Sequence, residues 1–237
     1  MPDLMLVDLD GTLVDVDMQR FIPAWLAGIA RLLPEDVRAD GFASRARQAI
    51  RTLLQENDGD WPNSRRFFHA MAEKGGWEAG LLAAVIHRYC RDAMDELAQF
   101  VRPVPGARAF LERAIRSGIK LVLATNPVFP LQVIWARMDW GGLADIPFDL
   151  VTHWDNCRHC KPCAGYFSDI LRQFEVPASR ALMVGNDTEH DMAAGRLGIK
   201  TFLADTHLVA RQVHWPAHAR GSLDHLARLL WGDDGIS

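Results

Sequence analysis

The chain has 237 residues, 49% of them hydrophobic, which is enough apolar material to bury a full core as one large domain or two smaller ones. Its formal charge is −4, so composition supplies no basic surface for a phosphate backbone, and nucleic acid is excluded as a main partner. The longest apolar runs fall well short of the roughly eighteen residues of a membrane span, so no membrane partner is expected.

The chain opens with the apolar run Leu4 to Leu9, which holds Asp8 and ends at Asp10, with Gly11-Thr12 breaking it; this predicts a buried strand and a turn. The first residues, Met-Pro-Asp-Leu-Met-Leu-Val-Asp, lack the basic-then-apolar pattern of a signal peptide. From residue 16 to 100 the pattern is helical. Ile22, Trp25, Leu26, Ile29, Leu32 and Leu33 recur at helical spacing, as do Leu81, Leu82, Val85, Ile86 and Tyr89. Pro34, Gly59, Pro62 and Gly75-Gly76 divide this region into about four helices.

After Pro103 and Pro105, helices and strands alternate. The predicted helices are Ala107–Ser117 with Gly118 as stop, Leu131–Met138, Ala164–Phe174, Asp191–Leu197 and Leu223–Trp231. The predicted strands are Ile119–Ala124, Leu150–His153, Ala181–Val184 and Thr201–Ala204. Alternation of this kind implies right-handed crossovers and a parallel sheet. The first strand is unstable alone and must pair with strands that arrive a hundred residues later. The expected fold is therefore α/β: a Rossmann-like parallel-sheet core from residues 1–15 and 101–237, with an all-helical cap, residues 16–100, inserted into it. Trp25, Trp135 and Trp140 read as core residues, and His69, His87 and His153 as surface or packing residues.

In an open parallel sheet, ligands bind at the carboxyl ends of the strands. Those ends carry Asp8 and Asp10, then Thr125 and Asn126, then Lys161, then Asn186, Asp187 and Asp191. Carboxylates, a hydroxyl and a lysine delivered by four strand ends suit a divalent cation together with an anion. A carboxylate attacks phosphorus to form an aspartyl phosphate, and the remaining demand is positioning and charge neutralisation.

The segment Asp8-Leu9-Asp10-Gly11-Thr12-Leu13 resembles the first motif of the haloacid dehalogenase superfamily. Thr125 after an apolar strand is similar to the second, Lys161-Pro162 to the third, and Gly185-Asn186-Asp187-Thr188-Glu189-His190-Asp191 to the acidic fourth. The helical insert is similar to the cap of that superfamily's first class. The resemblance implies Asp8 as nucleophile and magnesium ligand, and Asp10 as general acid and then base, with its main-chain carbonyl on the metal. It implies that Thr125 and Asn126 hold phosphoryl oxygens and that Lys161 neutralises Asp8 and phosphate. Asp187 would bind magnesium directly or through water, and Asp191 would support the metal shell or Lys161. The fourth motif departs from the usual Gly-Asp, so Asn186 stands beside Asp187 as a possible ligand.

The activity so implied is a magnesium-dependent phosphatase acting on a small phosphomonoester through an aspartyl phosphate. Asp10 separates this from dehalogenation, because an ester oxygen needs a proton on leaving and a halide does not. A sugar-phosphate mutase shares the same motifs, and a non-catalytic binding module on the same fold is the alternative of a different class. Arg20 and Arg45 read equally as cap residues that meet an anionic substrate or as solvated side chains.

One further cluster stands out. His153, Cys157, His159, Cys160 and Cys163 place three thiols and two imidazoles within eleven residues around Lys161. Thiolates at such intervals suit tetrahedral zinc, while ordinary reduced cysteines on a loop stiffened by Pro162 are the alternative. With Cys90 the chain has four cysteines, spaced unlike a disulfide framework, and a reducing, cytoplasmic setting is expected.

Overall fold

Leu4–Val7 contains no polar side chain, and all four residues are buried. A backbone segment of this kind needs partners on both edges and cover on both faces. The structure, a computed structural model, describes residues 1–39, 41–55, 59–75 and 77–232. In it Leu4–Val7 is the first strand, β1. A tight turn leads to β2 (Val14–Val16), followed by helices α1 (Met18–Leu32), α2 (Glu35–Ala39), α3 (Phe42–Gln55), α4 (Asn63–Gly75) and α5 (Ala79–Asp92). A 3-10 stretch, Asp95–Phe100, brings the chain to β3 (Val101–Pro103). Then follow α6 (Ala107–Arg116), β4 (Lys120–Leu123), α7 (Leu131–Trp140), β5 (Leu150–Val151) and α8 (Ala164–Phe174). The chain ends with β6 (Ala181–Gly185), a 3-10 stretch Met192–Leu197, β7 (Lys200–Ala204), β8 (Ala219–Gly221) and α9 (Leu223–Trp231).

The main sheet has the order β5-β4-β1-β6-β7-β8, and every neighbouring pair in it is parallel. Leu6 of β1 is in register with Val122 of β4 and Met183 of β6, so the first strand sits between strands formed more than a hundred residues later. The chain moves outward from β1 on one side through β4 and β5, then crosses to the other side at β6. That reversal leaves a crevice at the carboxyl ends of β1, β4 and β6. The α/β parallel-sheet fold expected from the sequence is therefore present.

Three features differ from expectation. β2 and β3 form a separate antiparallel pair, with Asp15 opposite Arg102, through which the chain leaves and rejoins the sheet. β8 extends the sheet edge beside β7. Residues Met192–Leu197 form a 3-10 stretch instead of an α-helix, ended by Gly198 at φ +82°. Gly118, the expected stop of α6, does sit in the left-handed region, at φ +73°. Gly76, one of the expected breaks, lies outside the described residues.

The helices α1–α5 bury Phe21, Trp25, Ile29, Phe42, Ile50 and Leu82, and these merge with Val7, Leu9 and Leu123 of the sheet region into one cluster. Trp25 meets Phe129 edge-on, with ring centroids 5.2 Å apart. Trp135, expected in the core, is 37% exposed on the outer face of α7. Asn63 opens α4 fully buried; its Nδ2 donates to the Pro127 carbonyl at 3.1 Å and to the Cys160 sulfur at 3.4 Å.

Candidate active site

The turn after β1 wraps around one acceptor. The amides of Thr12, Leu13 and Val14 all donate to the Leu9 carbonyl, at 3.3, 2.9 and 3.0 Å. Gly11 takes φ +83°, and a Cβ there would lie 2.1 Å from Asn186 Nδ2. Glycine is thus favoured twice over, by backbone sign and by the close approach of Asn186 on the loop after β6. A Cβ on Gly185 would meet the Asp191 carboxyl at 2.3 Å, so this glycine makes room for the acid below the site.

Asp8 sits directly after β1, nearly buried, with its amide bound to the Val184 carbonyl at 2.9 Å. Lys161 Nζ donates to Asp8 Oδ1 at 2.7 Å and to Asp191 Oδ1 at 2.6 Å. Lys161 and Asp191 are buried, at 2% and 0% exposure, so these are charge-assisted bonds shielded from water. Burial pushes the Asp8 carboxyl up to about 7, with Asp191 and Asp10 adding to the rise and Lys161 opposing it. Burial also works against the charge of Lys161, but Asp191 and Asp8 outweigh it and hold the ammonium well above its usual range.

Thr125 and Asn126 follow β4. The Thr125 carbonyl accepts from Thr152 Oγ1 at 2.9 Å and Tyr166 Oη at 3.1 Å, which pins the loop. Asn126 Oδ1 accepts from the Lys161 amide at 3.0 Å, tying the second and third motifs together. Asp187 accepts the amides of Glu189 and His190 on Oδ1, both at 2.9 Å. Its Oδ2 receives a fork from Arg211, with Nε at 2.8 Å and Nη2 at 2.7 Å. Burial opposes ionisation of Asp187, but this fork and the two amides hold its carboxyl below the usual range. Asn186 is less committed: Nδ2 donates to the His207 carbonyl at 2.6 Å, and Oδ1 lies 3.5 Å from Thr12 Oγ1.

All the residues expected from the sequence line one cavity of about 320 Å³: Asp8, Asp10, Thr125, Asn126 and Lys161, with Asn186, Asp187 and Asp191 beside them. Sequence reasoning missed two cations there. Arg211 lies on the loop after β7 and lines the cavity. Arg137, on α7, is fully buried and donates through Nη1 to Asp10 Oδ2 at 2.5 Å. Arg20 and Arg45, open to either substrate contact or solvation, are elsewhere. Arg20 pairs with Asp17, and Arg45 lies 5.4 Å over the Trp77 ring; neither lines the cavity.

The donor set suits a hard divalent cation. Four carboxylates (Asp8, Asp10, Asp187, Asp191) face three paired cations (Lys161, Arg137, Arg211), so carboxylates outnumber these cations by one. Lys161 engages Oδ1 of Asp8, and the main-chain carbonyl of Asp10 stands in the same turn. No group of three or more His, Cys, Asp or Glu side chains among the described residues is gathered to hold a metal. Magnesium does not need one, because carbonyls and waters complete its shell. A zinc site in the cysteine loop does need one. There Cys160 is buried, Cys157 Sγ is directed to Asn156 Oδ1 at 3.3 Å, and His159 pairs with Asp169 at 3.0 Å. Burial pushes the Cys157 and Cys160 thiols up to about 12.

A family model for haloacid dehalogenase-like hydrolases matches residues 2–198. The chain belongs to this family. Among haloacid dehalogenase-like hydrolases it is 27% identical, over 216 residues, to a ribulose-1,5-bisphosphate 5-phosphatase from Halopiger xanaduensis, covering 86% of this chain and 85% of that one. It is likewise 27% identical to a phosphoglycolate phosphatase from Pseudomonas syringae pv. tomato, covering 84% of this chain and 68% of that one. Solved structures with the same fold include a phosphatase of the family from Thermococcus onnurineus, at TM-score 0.60 and 21% identity over 98% of this chain and 100% of that one. A 2-haloacid dehalogenase from Pseudomonas syringae pv. tomato matches at TM-score 0.63 and 22% identity, over 97% of this chain and 98% of that one. Among the described residues, no helix is long and apolar enough to cross a membrane.

Proposed function

We propose that the protein is a magnesium-dependent phosphatase that hydrolyses a small phosphomonoester through an aspartyl phosphate on Asp8. The observation that carries this reading is the pairing of two carboxyls with two different cations. Asp8 is held by Lys161, while Asp10, two residues on, is held by Arg137, with its other oxygen unpartnered among the described residues. A nucleophile and a separate proton carrier are what an ester demands and a halide does not. The relatives named as phosphatases support the same choice.

In this reading an Asp8 oxygen attacks phosphorus and the bond to the ester oxygen breaks, while Asp10 gives its proton to the departing alkoxide. Asp10 then takes a proton from water as that water attacks the phosphorus of the aspartyl phosphate, and the bond to Asp8 breaks to release inorganic phosphate. Lys161, Thr125 and the main chain at Asn126 hold the phosphoryl oxygens throughout. Asp8, the Asp10 carbonyl and Asp187 or Asn186 would hold magnesium, whose chemistry here is neutralisation of phosphoryl charge. Because Arg211 and two amides already occupy both oxygens of Asp187, contact through water fits that residue better than direct ligation.

Residues 16–100 then serve as a cap over a core of residues 1–15 and 101–237, with the β2/β3 pair as the connection that flexes. The cap side of the cavity is apolar, built from Met18, Ile22, Ile50 and Leu54. Among the described residues this wall carries no polar side chain to hold a sugar in two orientations, which supports hydrolysis over a mutase. The test is a panel of phosphorylated metabolites with magnesium, using Asp8→Asn as the blank. Turnover in the wild type alone supports the reading; no turnover across the panel removes it.

A further inference from the structure

Arg137 is a long charged residue with no access to solvent. Burial of this kind is costly and is tolerated when the charge is paired and hydrogen-bonded. Its partners are few. Nε donates to the Val133 carbonyl one turn back, at 3.3 Å, and Nη1 donates to Asp10 Oδ2 at 2.5 Å. Nη2 is buried without a hydrogen-bond partner among the described residues. Two aromatic rings flank the guanidinium, Phe129 at 5.0 Å and Phe21 at 5.7 Å, and they meet each other edge-on at 6.2 Å. Phe21 belongs to α1 and Phe129 to the loop that carries Thr125 and Asn126. The arginine therefore sits where the helical segment, the phosphate loop and the turn after β1 converge.

The carboxyl it grips is asymmetric. Oδ2 of Asp10 is taken by the guanidinium, whereas Oδ1 has no partner among the described residues although it is shielded from water. A carboxyl rotates freely about its last bond unless one oxygen is anchored. Anchoring Oδ2 fixes where Oδ1 points and leaves it as the atom that carries the proton. Phe21 and Phe129 hold the guanidinium plane by cation–π contact, so the anchor itself is rigid.

We propose that Arg137 is a positioning residue for Asp10: it pins Oδ2 so that Oδ1 is presented to the oxygen of the leaving group and then to the attacking water. This rests on the phosphatase reading and deepens it. Arg137 touches no substrate and acts only through Asp10. It follows that Arg137 matters in proportion to the protonation that a leaving group requires.

The experiment compares kcat/KM for an aryl phosphate and an alkyl phosphate, both with magnesium, in the wild type, Asp10→Asn, Arg137→Met, Arg137→Lys and the Asp10→Asn/Arg137→Met double variant. The ratio of the two values within one preparation is independent of the fraction folded, so it stays informative if a variant is partly unfolded. General acid–base assistance is worth about 10²–10⁴-fold. The expected result is a loss of at least about 10²-fold on the alkyl ester for Arg137→Met, with a clearly smaller loss on the aryl ester. Arg137→Lys should recover part of the alkyl activity. The double variant should fall within about threefold of Asp10→Asn alone, because both changes remove one function. Equal losses on both esters, or losses that multiply in the double variant, would overturn the positioning role while leaving the phosphatase reading in place. A wild type that hydrolyses neither ester would remove both.

Discussion

Lys161 Nζ lies 2.7 Å from Asp8 Oδ1, a contact between residues 153 positions apart in the chain. The same ammonium holds Asp191 at 2.6 Å, so one buried cation separates two buried carboxylates. Removing it leaves both acids facing each other in a site shielded from water. Lys161→Met should therefore lose stability as well as activity, by about 3–5 kcal/mol, the usual penalty for orphaning a buried charge. Adding Asp191→Asn should restore part of that stability without restoring turnover. Thermal and urea melts of the two variants, with assays alongside, check this. An unchanged melting temperature for Lys161→Met would contradict the buried-pair account.

In kcat/KM, which reports formation of the aspartyl phosphate and not its hydrolysis, Asp10→Asn should lose most on esters with poor leaving groups and least on an activated aryl phosphate, whose leaving group departs with little protonation. Steady-state kinetics over a series of leaving groups measures this. An equal loss across the series would assign Asp10 chiefly to metal geometry through its carbonyl.

Arg211 forks onto Oδ2 of Asp187, and both residues line the cavity. A bidentate charge-assisted pair competes with a divalent cation for that oxygen. Arg211→Ala should accordingly lower the magnesium concentration needed for half-maximal thermal stabilisation. Chelator should abolish turnover in both proteins, and calcium should inhibit because its looser coordination spoils in-line geometry. A weaker magnesium response in Arg211→Ala would show that the arginine supports the metal site.

Gly11→Ala places a Cβ where φ is +83° and Asn186 Nδ2 lies 2.1 Å away. Backbone strain alone costs on the order of 1–3 kcal/mol, and the clash displaces Asn186. The variant should melt lower than the wild type and lose activity beyond what its folded fraction explains. Activity in proportion to folded protein would mean that the Asn186 position is immaterial to catalysis.

Much of this arrangement was legible in the sequence because it is local. The run Leu4–Val7 and the aspartates at its end announce a buried strand and a site, and α8 and α9 fall on the predicted bounds, Ala164–Phe174 and Leu223–Trp231. The acids and Lys161 were legible because strand ends collect ligands. Arg137 was hidden because its partner lies 127 residues away and its own helix gives no sign that a charge faces inward. Arg211 sits on a loop without periodicity, and its pairing with Asp187 depends on how that loop folds back, with the Val209 amide on the Asn186 carbonyl at 2.9 Å. β2, β3 and β8 are three residues each, too short for alternation to register. Trp135 misled because hydrophobicity alone does not say which side of α7 faces the core.

On the proposed route phosphate passes through Asp8. Asp10→Asn should form the aspartyl phosphate from an aryl phosphate but hydrolyse it slowly, since the base for water is gone. Acid-quenched Asp10→Asn, incubated with aryl phosphate and magnesium and then examined by peptide mass spectrometry, measures this directly. The account predicts one phosphoryl group on the peptide containing Asp8, absent when Asp8 is also changed to Asn. Release of phosphate by the wild type with no phosphoryl group trapped on Asp8, together with an Asp8→Asn variant that keeps turning over, would contradict it.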